Sequence, residues 1–257
     1  MATLRRNLPA SSSPERQPVT LPESPTQRLA LLTGPEAVQR LQRARVIVFG
    51  IGGVGSWAAE GLVRSGVRDI TLVDGDAVAL SNLNRQLQAT VDNLGRPKVD
   101  ALRQRLESLA PAVRVTTRQE MYTPENADTF DLNDYDYLLD CIDTVKSKTE
   151  LLCRAAAAPG TVYSSMGAAR KLDPTLARAD SIWETRGCPL ARVIRRNLRQ
   201  RGVTAAIRAV YSPEALPLPP QHEQDPETGQ IVNGSAVHVT AVFGMIMAGL
   251  VVRDAVG

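Results

Sequence analysis

Residues 45–56 read Arg-Val-Ile-Val-Phe-Gly-Ile-Gly-Gly-Val-Gly-Ser, and this stretch decides the fold of the 257-residue chain. Its first five residues form an almost continuous apolar run of strand length, which indicates a strand buried on both faces. The cluster Gly50-x-Gly-Gly-x-Gly55 permits a tight turn and brings backbone N–H groups close to a phosphate at a helix N-terminus. A helix over about residues 56–65 is expected to follow.

The alternation of strands and helices continues on both sides of this stretch. Helices are predicted from Gly34-Pro35 onward and over residues 98–109 and 144–157, and strands over 69–73, 113–116, 137–140 and 161–164. Such alternation predicts an α/β fold with a doubly wound, Rossmann-like and mostly parallel sheet. Beyond residue 176 the pattern is less regular, so we expect a mixed C-terminal extension: an Arg-rich helix over 189–201, a strand near 207–212 and a loop over 213–233.

Two segments stand apart from this pattern. Residues 1–25 are rich in Pro, Ser and Arg and are predicted to form a disordered N-terminal tail. Residues 239–252 form the one long apolar run, which is shorter than the ~20 residues needed to cross a membrane. A buried helix is the preferred interpretation, and no membrane partner is expected.

The composition excludes several classes of protein. Three cysteines and two histidines, with no Cys-x-x-Cys pair, exclude a structural zinc site and a disulfide framework. The odd number of thiols fits a reducing compartment, so a cytoplasmic location is expected. Aromatic residues at 4% argue against a stacking platform for single-stranded nucleic acid. A net charge of +3 neither requires nor excludes a polyanionic partner.

The glycine cluster has a carboxylate partner downstream. Asp74 ends the second predicted strand, where an acidic side chain can bind ribose hydroxyls. Nucleotide binding is therefore favoured over a glycine turn that serves packing alone, with NAD as the default ligand. Arg85 and Lys98 argue against NAD, because a triphosphate needs such cations more than a dinucleotide does. Ordinary solvated charges remain the alternative for both residues.

A pair of aspartates follows the fourth predicted strand. Asp140 and Asp143 lie just past its end, at the edge where doubly wound sheets bind ligands. One or both are candidates to hold Mg²⁺, which takes one or two carboxylates together with phosphate oxygens. The alternative for Asp143 is a capping role at the start of the helix that begins near residue 144.

In combination, these motifs make residues 45–143 resemble the ubiquitin-activating-like superfamily of bacterial ThiF, MoeB and HesA, which adenylate carboxylates. The resemblance implies a single ATP-binding domain over residues 26–257, a homodimer, and ATP and Mg²⁺ as cofactors. It implies that Asp74 binds ribose, that Arg85 and Lys98 hold phosphates, that Asp143 is the Mg²⁺ aspartate, and that Arg28 enters the partner's site. The implied ATP-contacting set is Gly50, Gly52, Gly53, Gly55, Asp74, Asp76, Asn82, Arg85, Gln86, Lys98 and Asp143.

The second half of the chain selects a branch of this superfamily. The segments at residues 165–174, 189–192, 211–214 and 234–236 resemble the transfer-RNA threonylcarbamoyladenosine dehydratases. The resemblance implies ATP-dependent cyclisation of that nucleoside next to the anticodon through activation of its carboxylate, with sulfur- or electron-transfer proteins as possible accessories. The alternatives are adenylation of a ubiquitin-like or sulfur-carrier protein, an NAD-binding oxidoreductase, and a silent nucleotide-binding scaffold. Cys188 stands where an acidic residue is expected, which raises the alternative of a catalytic thiol.

A basic helix offers a surface for RNA. Over residues 190–201 four arginines recur at spacings of three and four, opposite an apolar stripe, and we predict that this face contacts RNA phosphates. The four are Arg192, Arg195, Arg196 and Arg199. Arg170 and Lys171 are further candidates for the same role. A merely solvated charged face is the alternative.

Overall fold

The structure is a computed structural model that describes residues 23–217 and 232–257. Within these residues the strands are β1 (Arg45–Phe49), β2 (Asp69–Val73), β3 (Arg114–Arg118), β4 (Tyr137–Asp140), β5 (Thr161–Ser165), β6 (Arg178–Ser181) and β7 (Arg208–Tyr211). The α-helices are α1 (Gln27–Thr33), α2 (Pro35–Arg43), α3 (Gly55–Arg64), α4 (Lys98–Leu109), α5 (Val145–Ala155), α6 (Pro189–Gln200) and α7 (Val237–Val256).

These strands form one sheet in the order β3-β2-β1-β4-β5-β7-β6. Each neighbouring pair is parallel except β6 and β7, which are antiparallel. The strand order reverses between β1 and β4, where Phe49 pairs with Asp140. In doubly wound sheets, ligands bind outside the carboxyl ends of the strands at such a reversal. The predicted fold class is confirmed.

Helices cover both faces of the sheet. On one face the core includes Leu62 of α3, Leu102 of α4 and Phe243 of α7. On the other face Leu152 of α5 and Ile194 of α6 pack against the strands. The central strands are therefore buried on both sides, which is the physical reason that β1 reads as an apolar run without alternation.

The apolar helix α7 belongs to this core. By length and composition it is able to span a membrane. Instead it packs along α3 so closely that a Cβ atom on Gly244 would lie 2.5 Å from the carbonyl oxygen of Val54. Phe243 and Met247 are fully buried. The prediction of a buried helix is confirmed, with bounds wider than residues 239–252.

The structure also contains elements that the sequence pattern did not predict. No local signal predicts the edge strand β6, because its four residues, Arg-Ala-Asp-Ser, are exposed or partly buried and contain no apolar run. The short helix α1 was missed as well, and none of its residues is buried. Most of the predicted tail and of the predicted loop lies outside the described residues, since residues 1–22 and 218–231 are not described.

Candidate nucleotide site at the carboxyl edge of the sheet

The loop between β1 and α3 needs glycine at two positions for different reasons. Gly50 has a φ of +85°, and a Cβ there would lie 2.8 Å from the carbonyl oxygen of Cys141. A Cβ on Gly55 would meet the carbonyl oxygen of Gly50. The predicted tight turn is therefore observed, and it presses the loop against the segment that follows β4.

Asp74 fixes the shape of this loop. Its Oδ2 accepts a 2.6 Å hydrogen bond from the backbone N–H of Ile51, and its Oδ1 accepts one from the N–H of Asp76 at 2.9 Å. Burial raises the pKa of the Asp74 carboxyl above its ordinary value, opposed by the charge of Lys98 and by these N–H donors. Each oxygen keeps a lone pair, so the carboxylate can still accept a ribose hydroxyl.

Lys98 is a nearly buried cation at the start of α4. The residue is 6% exposed, and Nζ contacts Asp76 Oδ2 at 2.6 Å. The backbone N–H of Lys98 also donates to the carbonyl oxygen of Asp76. These contacts hold the ammonium group at the cavity wall. The half-exposed carboxylate of Asp76 partly offsets its positive charge.

The segment that follows β2 brings a second cation to the same place. Arg85 donates from Nη1 to the carbonyl oxygen of Ser81 at 2.8 Å and to Asn84 Oδ1 at 2.9 Å. Trp57 on α3 holds the segment through a hydrogen bond to the Arg85 carbonyl. Among the described residues no carboxylate forms an ion pair with Arg85, so its charge remains available for a phosphate.

The two aspartates after β4 have different roles. Asp140 is 1% exposed, forms a 2.7 Å ion pair with the fully buried Lys148, and accepts a hydrogen bond from Ser164. Its charge is therefore already paired, and it does not line the cavity, which leaves Asp143 as the candidate metal ligand. Asp143 is exposed at the cavity, and no described cation pairs with it. Thr144, and not Asp143, occupies the capping position of α5.

The ion pair also sets the position of Asp143. Lys148 Nζ donates to the carbonyl oxygen of Ile142 at 2.9 Å, while Asp140 Oδ1 accepts from the Ile142 N–H at 3.1 Å. Lys148 and Asp140 thus both bind the backbone of Ile142, the residue that precedes Asp143. Nothing in the sequence pattern singles out Lys148, because a lysine on an amphipathic helix is normally exposed to solvent.

One cavity of about 1070 Å³ collects the predicted nucleotide residues. Its wall includes Gly50, Gly52, Gly53, Asp74, Asp76, Asn82, Arg85, Gln86, Lys98 and Asp143. Gly55 lies behind the wall, where it makes the turn possible. Thr240 of α7, which the sequence did not single out, also lines the cavity. The volume is at the upper end of the usual ~300–1,000 Å³ of a small-molecule site.

Other predicted residues lie away from this cavity wall. Arg28 is exposed on α1 and does not line the cavity. On α6, Arg192 and Arg196 are exposed, whereas Arg195 donates to the carbonyl oxygen and hydroxyl of Thr185. Arg199 lies over the Trp183 ring at 5.6 Å. The expectation that Arg195 projects freely from the face opposite the apolar stripe is wrong, because a neighbouring turn binds its guanidinium.

The positions of Arg170 and Lys171 also differ from expectation. Lys171 is 5% exposed and, like Arg170, lines the cavity, so neither extends the basic surface of α6. Cys188 is buried in the same wall, directly before α6.

The chain belongs to the ThiF family, which it matches over residues 26–256. It is 36% identical over 236 residues to tRNA threonylcarbamoyladenosine dehydratase of Bacillus subtilis, covering 88% of this chain and 92% of that protein. This near full-length similarity places the chain in the tRNA threonylcarbamoyladenosine dehydratase group of the family. A similar solved structure, given below, supports the same assignment. The resemblance predicted from the motifs is confirmed.

One similar solved structure is that of Escherichia coli tRNA N6-threonylcarbamoyladenosine dehydratase, TcdA, in complex with ATP. It matches with a TM-score of 0.79 at 33% identity and covers 90% of this chain and 93% of that one. A shorter match, 39% identical over 45% of this chain, is to the sulfur carrier protein adenylyltransferase of Thermus thermophilus.

Proposed function

We propose that the chain catalyses the ATP-dependent dehydration, by cyclisation, of the threonylcarbamoyladenosine next to the anticodon of transfer RNA. One observation carries the proposal: Arg85, Lys98 and Asp143 converge with the glycine loop on a single cavity. The near full-length relatives are dehydratases of this nucleoside, and one was solved with ATP bound. The sulfur-carrier alternative is supported by a relative that covers less than half of the chain.

The cavity fits ATP by its chemistry. Backbone N–H groups of the glycine loop and the cations Arg85 and Lys98 suit the phosphates, and Asp74 suits the ribose hydroxyls. The unpaired, exposed carboxylate of Asp143 fits Mg²⁺, since this ion binds one or two carboxylates together with phosphate oxygens. Bound Mg²⁺ would lower the negative charge that the phosphates present to a second anion.

The reaction needs activation because a carboxylate is a poor electrophile and oxide is a poor leaving group. ATP, when bound, would supply a phosphate-bearing group to one carboxylate oxygen, so that this oxygen leaves with the phosphate when the ring closes. The protein offsets the repulsion of two anions with Lys98, which Asp76 holds, and with Arg85, which Ser81 and Asn84 hold. A nitrogen or oxygen of the same substrate then attacks, and its proximity to the carboxyl carbon favours closure. No protein nucleophile is required.

Mass spectrometry of nucleosides from transfer RNA incubated with the protein and ATP tests this function. The expected product is lighter than threonylcarbamoyladenosine by one water, and it should not form without ATP. Calorimetry should show binding of Mg-ATP and none of NAD. Carrier adenylate formed on a protein with a C-terminal Gly-Gly, with no change in the nucleoside, would support the alternative instead.

The exposed arginines of α6 are the proposed contact with transfer RNA. Replacing Arg192 and Arg196 together by Gln is expected to weaken RNA binding and to flatten its salt dependence by about one unit of slope per lost phosphate contact. Stability should stay within about 0.5 kcal/mol, because both side chains are exposed. Filter binding at several salt concentrations measures the first effect, and thermal unfolding measures the second.

The control removes the same charge elsewhere. Arg43 on α2, which covers the other face of the sheet, and Arg68 are both exposed, and their double Gln variant should leave RNA affinity and salt slope unchanged. Arg195→Gln is expected to cost about 1 kcal/mol, because it removes the bonds to Thr185. If the α6 variant and the control variant bind RNA equally well, the α6 arginines are solvated surface charges that do not contact RNA.

A homodimer in which Arg28 serves the partner's site is also part of the proposal. The helix that carries Arg28 exposes two large apolar side chains, Leu31 and Leu32, which are 59% and 81% exposed. Such side chains are better accommodated at an interface than in water. The proposal also includes a cytoplasmic location, and the three free cysteines agree with a reducing compartment. It further includes accessory sulfur- or electron-transfer proteins.

Mixed dimers test the trans arginine. Arg28→Ala and Asp143→Ala chains should each be inactive, but a one-to-one mixture should recover about a quarter of wild-type activity, because half of the dimers then have one intact site. Arg43→Ala, an exposed arginine on the adjacent helix, should remain active alone. Folded, dimeric mixtures without activity would exclude the trans role of Arg28.

A further inference from the structure

The cavity has a second half that the nucleotide motifs do not account for. Residues 165–171, 187–190 and 215–216 line it, opposite the glycine loop. Two adjacent cations, Arg170 and Lys171, lie in this part of the wall. Residues 165–169 are otherwise small or neutral, so the two cations determine which ligand the wall favours.

Neither cation forms an ion pair with a carboxylate within the described residues. Arg170 Nη2 donates to the carbonyl oxygen of Leu216 at 2.6 Å, and Lys171 Nζ donates to that of Glu214. The nearby Glu214 carboxylate instead accepts from the backbone N–H groups of Leu172 and Asp173, at 2.9 and 3.1 Å. The nearly buried Lys171 and the partly buried Arg170 therefore donate to neutral acceptors, and the nearby Glu214 charge acts on Lys171 without forming an ion pair. An anionic ligand would stabilise this arrangement.

Two features of Arg170 point to a ligand clamp. Its φ is +56°, and it is the one non-glycine residue with positive φ in the described chain. Its Nε is buried and has no hydrogen-bond partner there. Strained backbone and unsatisfied buried donors both persist where a binding site requires them. A hydrogen bond from the Arg170 N–H to Gly234 helps to hold this conformation.

We propose that Arg170 and Lys171 form the subsite that binds the substrate carboxylate beside the nucleotide. The inference rests on the proposed function for the identity of the carboxylate, which belongs to the threonylcarbamoyl group. A carboxylate is favoured over an RNA phosphate because these cations share the cavity with the nucleotide residues, where the reacting group must lie, whereas the exposed arginines of α6 face solvent. Their charge permits a second anion to approach the ATP phosphates.

Small probes test the subsite without RNA. In the presence of Mg-ATP, N-carbamoylthreonine at about 10 mM is expected to shift NMR signals of the wild-type protein, and its neutral methyl ester is not. Arg170→Asn, which tolerates positive φ, and Lys171→Gln should each weaken binding of the acid about tenfold, as loss of one charged hydrogen bond does. Mg-ATP affinity should not change. Arg68→Gln, an exposed arginine outside the cavity, is the matched control.

An anticodon stem-loop provides the second arm. Wild-type protein should bind the threonylcarbamoyl form more tightly than the unmodified form, and both variants should lose that preference while keeping their affinity for unmodified RNA. Equal loss for both RNAs would assign the cations to RNA phosphates and overturn the proposal, as would no binding of the acid to wild-type protein. If wild-type protein binds N-carbamoylthreonine but does not distinguish the threonylcarbamoyl stem-loop from the unmodified one, the carboxylate subsite is supported and the proposed function is contradicted. Arg170→Lys, which keeps the charge, should retain more of the acid binding than Arg170→Asn.

Discussion

An Asp143→Asn variant is expected to lose turnover by about a hundredfold or more, with its fold intact. The substitution removes the carboxylate charge proposed for Mg²⁺, whose electrostatic effect is worth several kcal/mol of barrier, while the side chain keeps its size. Asp143 is exposed and pairs with no described cation, so stability should change by less than about 0.5 kcal/mol. The initial rate of nucleoside dehydration, followed by mass spectrometry, measures the loss.

The metal role has a separate readout. Mg²⁺ should strengthen ATP binding in the wild-type protein and have a much smaller effect in Asp143→Asn, as calorimetry with and without EDTA would show. Asp92→Asn, an exposed aspartate outside the cavity, should behave as wild type in both assays. Normal turnover in Asp143→Asn would mean that the reaction does not use this carboxylate.

A Lys148→Met variant is expected to lose about 3–5 kcal/mol of unfolding free energy. The substitution leaves the carboxylate of Asp140 buried at 1% exposure without its cation, and such an uncompensated charge is costly. At this chain length the loss corresponds to a fall in Tm of about 10 °C or more. Urea unfolding followed by circular dichroism gives the free energy directly.

A neighbouring lysine provides the control. Lys146, two residues earlier, pairs with Glu125 on the surface, where both side chains are about two-thirds exposed. Lys146→Met should therefore have a far smaller effect, because solvent screens that pair. Adding Asp140→Asn to Lys148→Met should recover part of the loss by removing the buried charge. Equal destabilisation by Lys146→Met and Lys148→Met would contradict the buried-charge explanation.

The first half of the fold was predictable because its local and tertiary signals agree. The bounds of β1 and β2 match the predictions, since buried parallel strands must be continuous apolar runs. The bounds of α4 match as well, because its apolar side chains recur at helical spacing. In contrast, β6 depends on a partner distant in sequence and has only partly buried side chains, so nothing local indicates it.

The candidate site was predictable where position follows from topology. Asp74 and Asp143 follow strands that end at the same edge, so their convergence is a consequence of the parallel sheet. The distinction between Asp140 and Asp143 was not predictable, because it depends on Lys148, which reaches the first carboxylate from the interior of α5. Likewise, only the fold shows that Thr185 binds Arg195 while Arg196 remains in solvent.

The close approach of α7 to the glycine loop has a consequence for the order of events during synthesis. Gly244 lies against the Val54 carbonyl, and a Cβ added at Gly53 would contact Thr240 at 3.2 Å. The loop is translated early, but the helix that backs it emerges from the ribosome only after β7. A nascent chain halted between these elements therefore lacks one wall of the nucleotide cavity. Contacts so distant in sequence also form slowly. The ability to bind ATP should thus appear only after α7 has been synthesised.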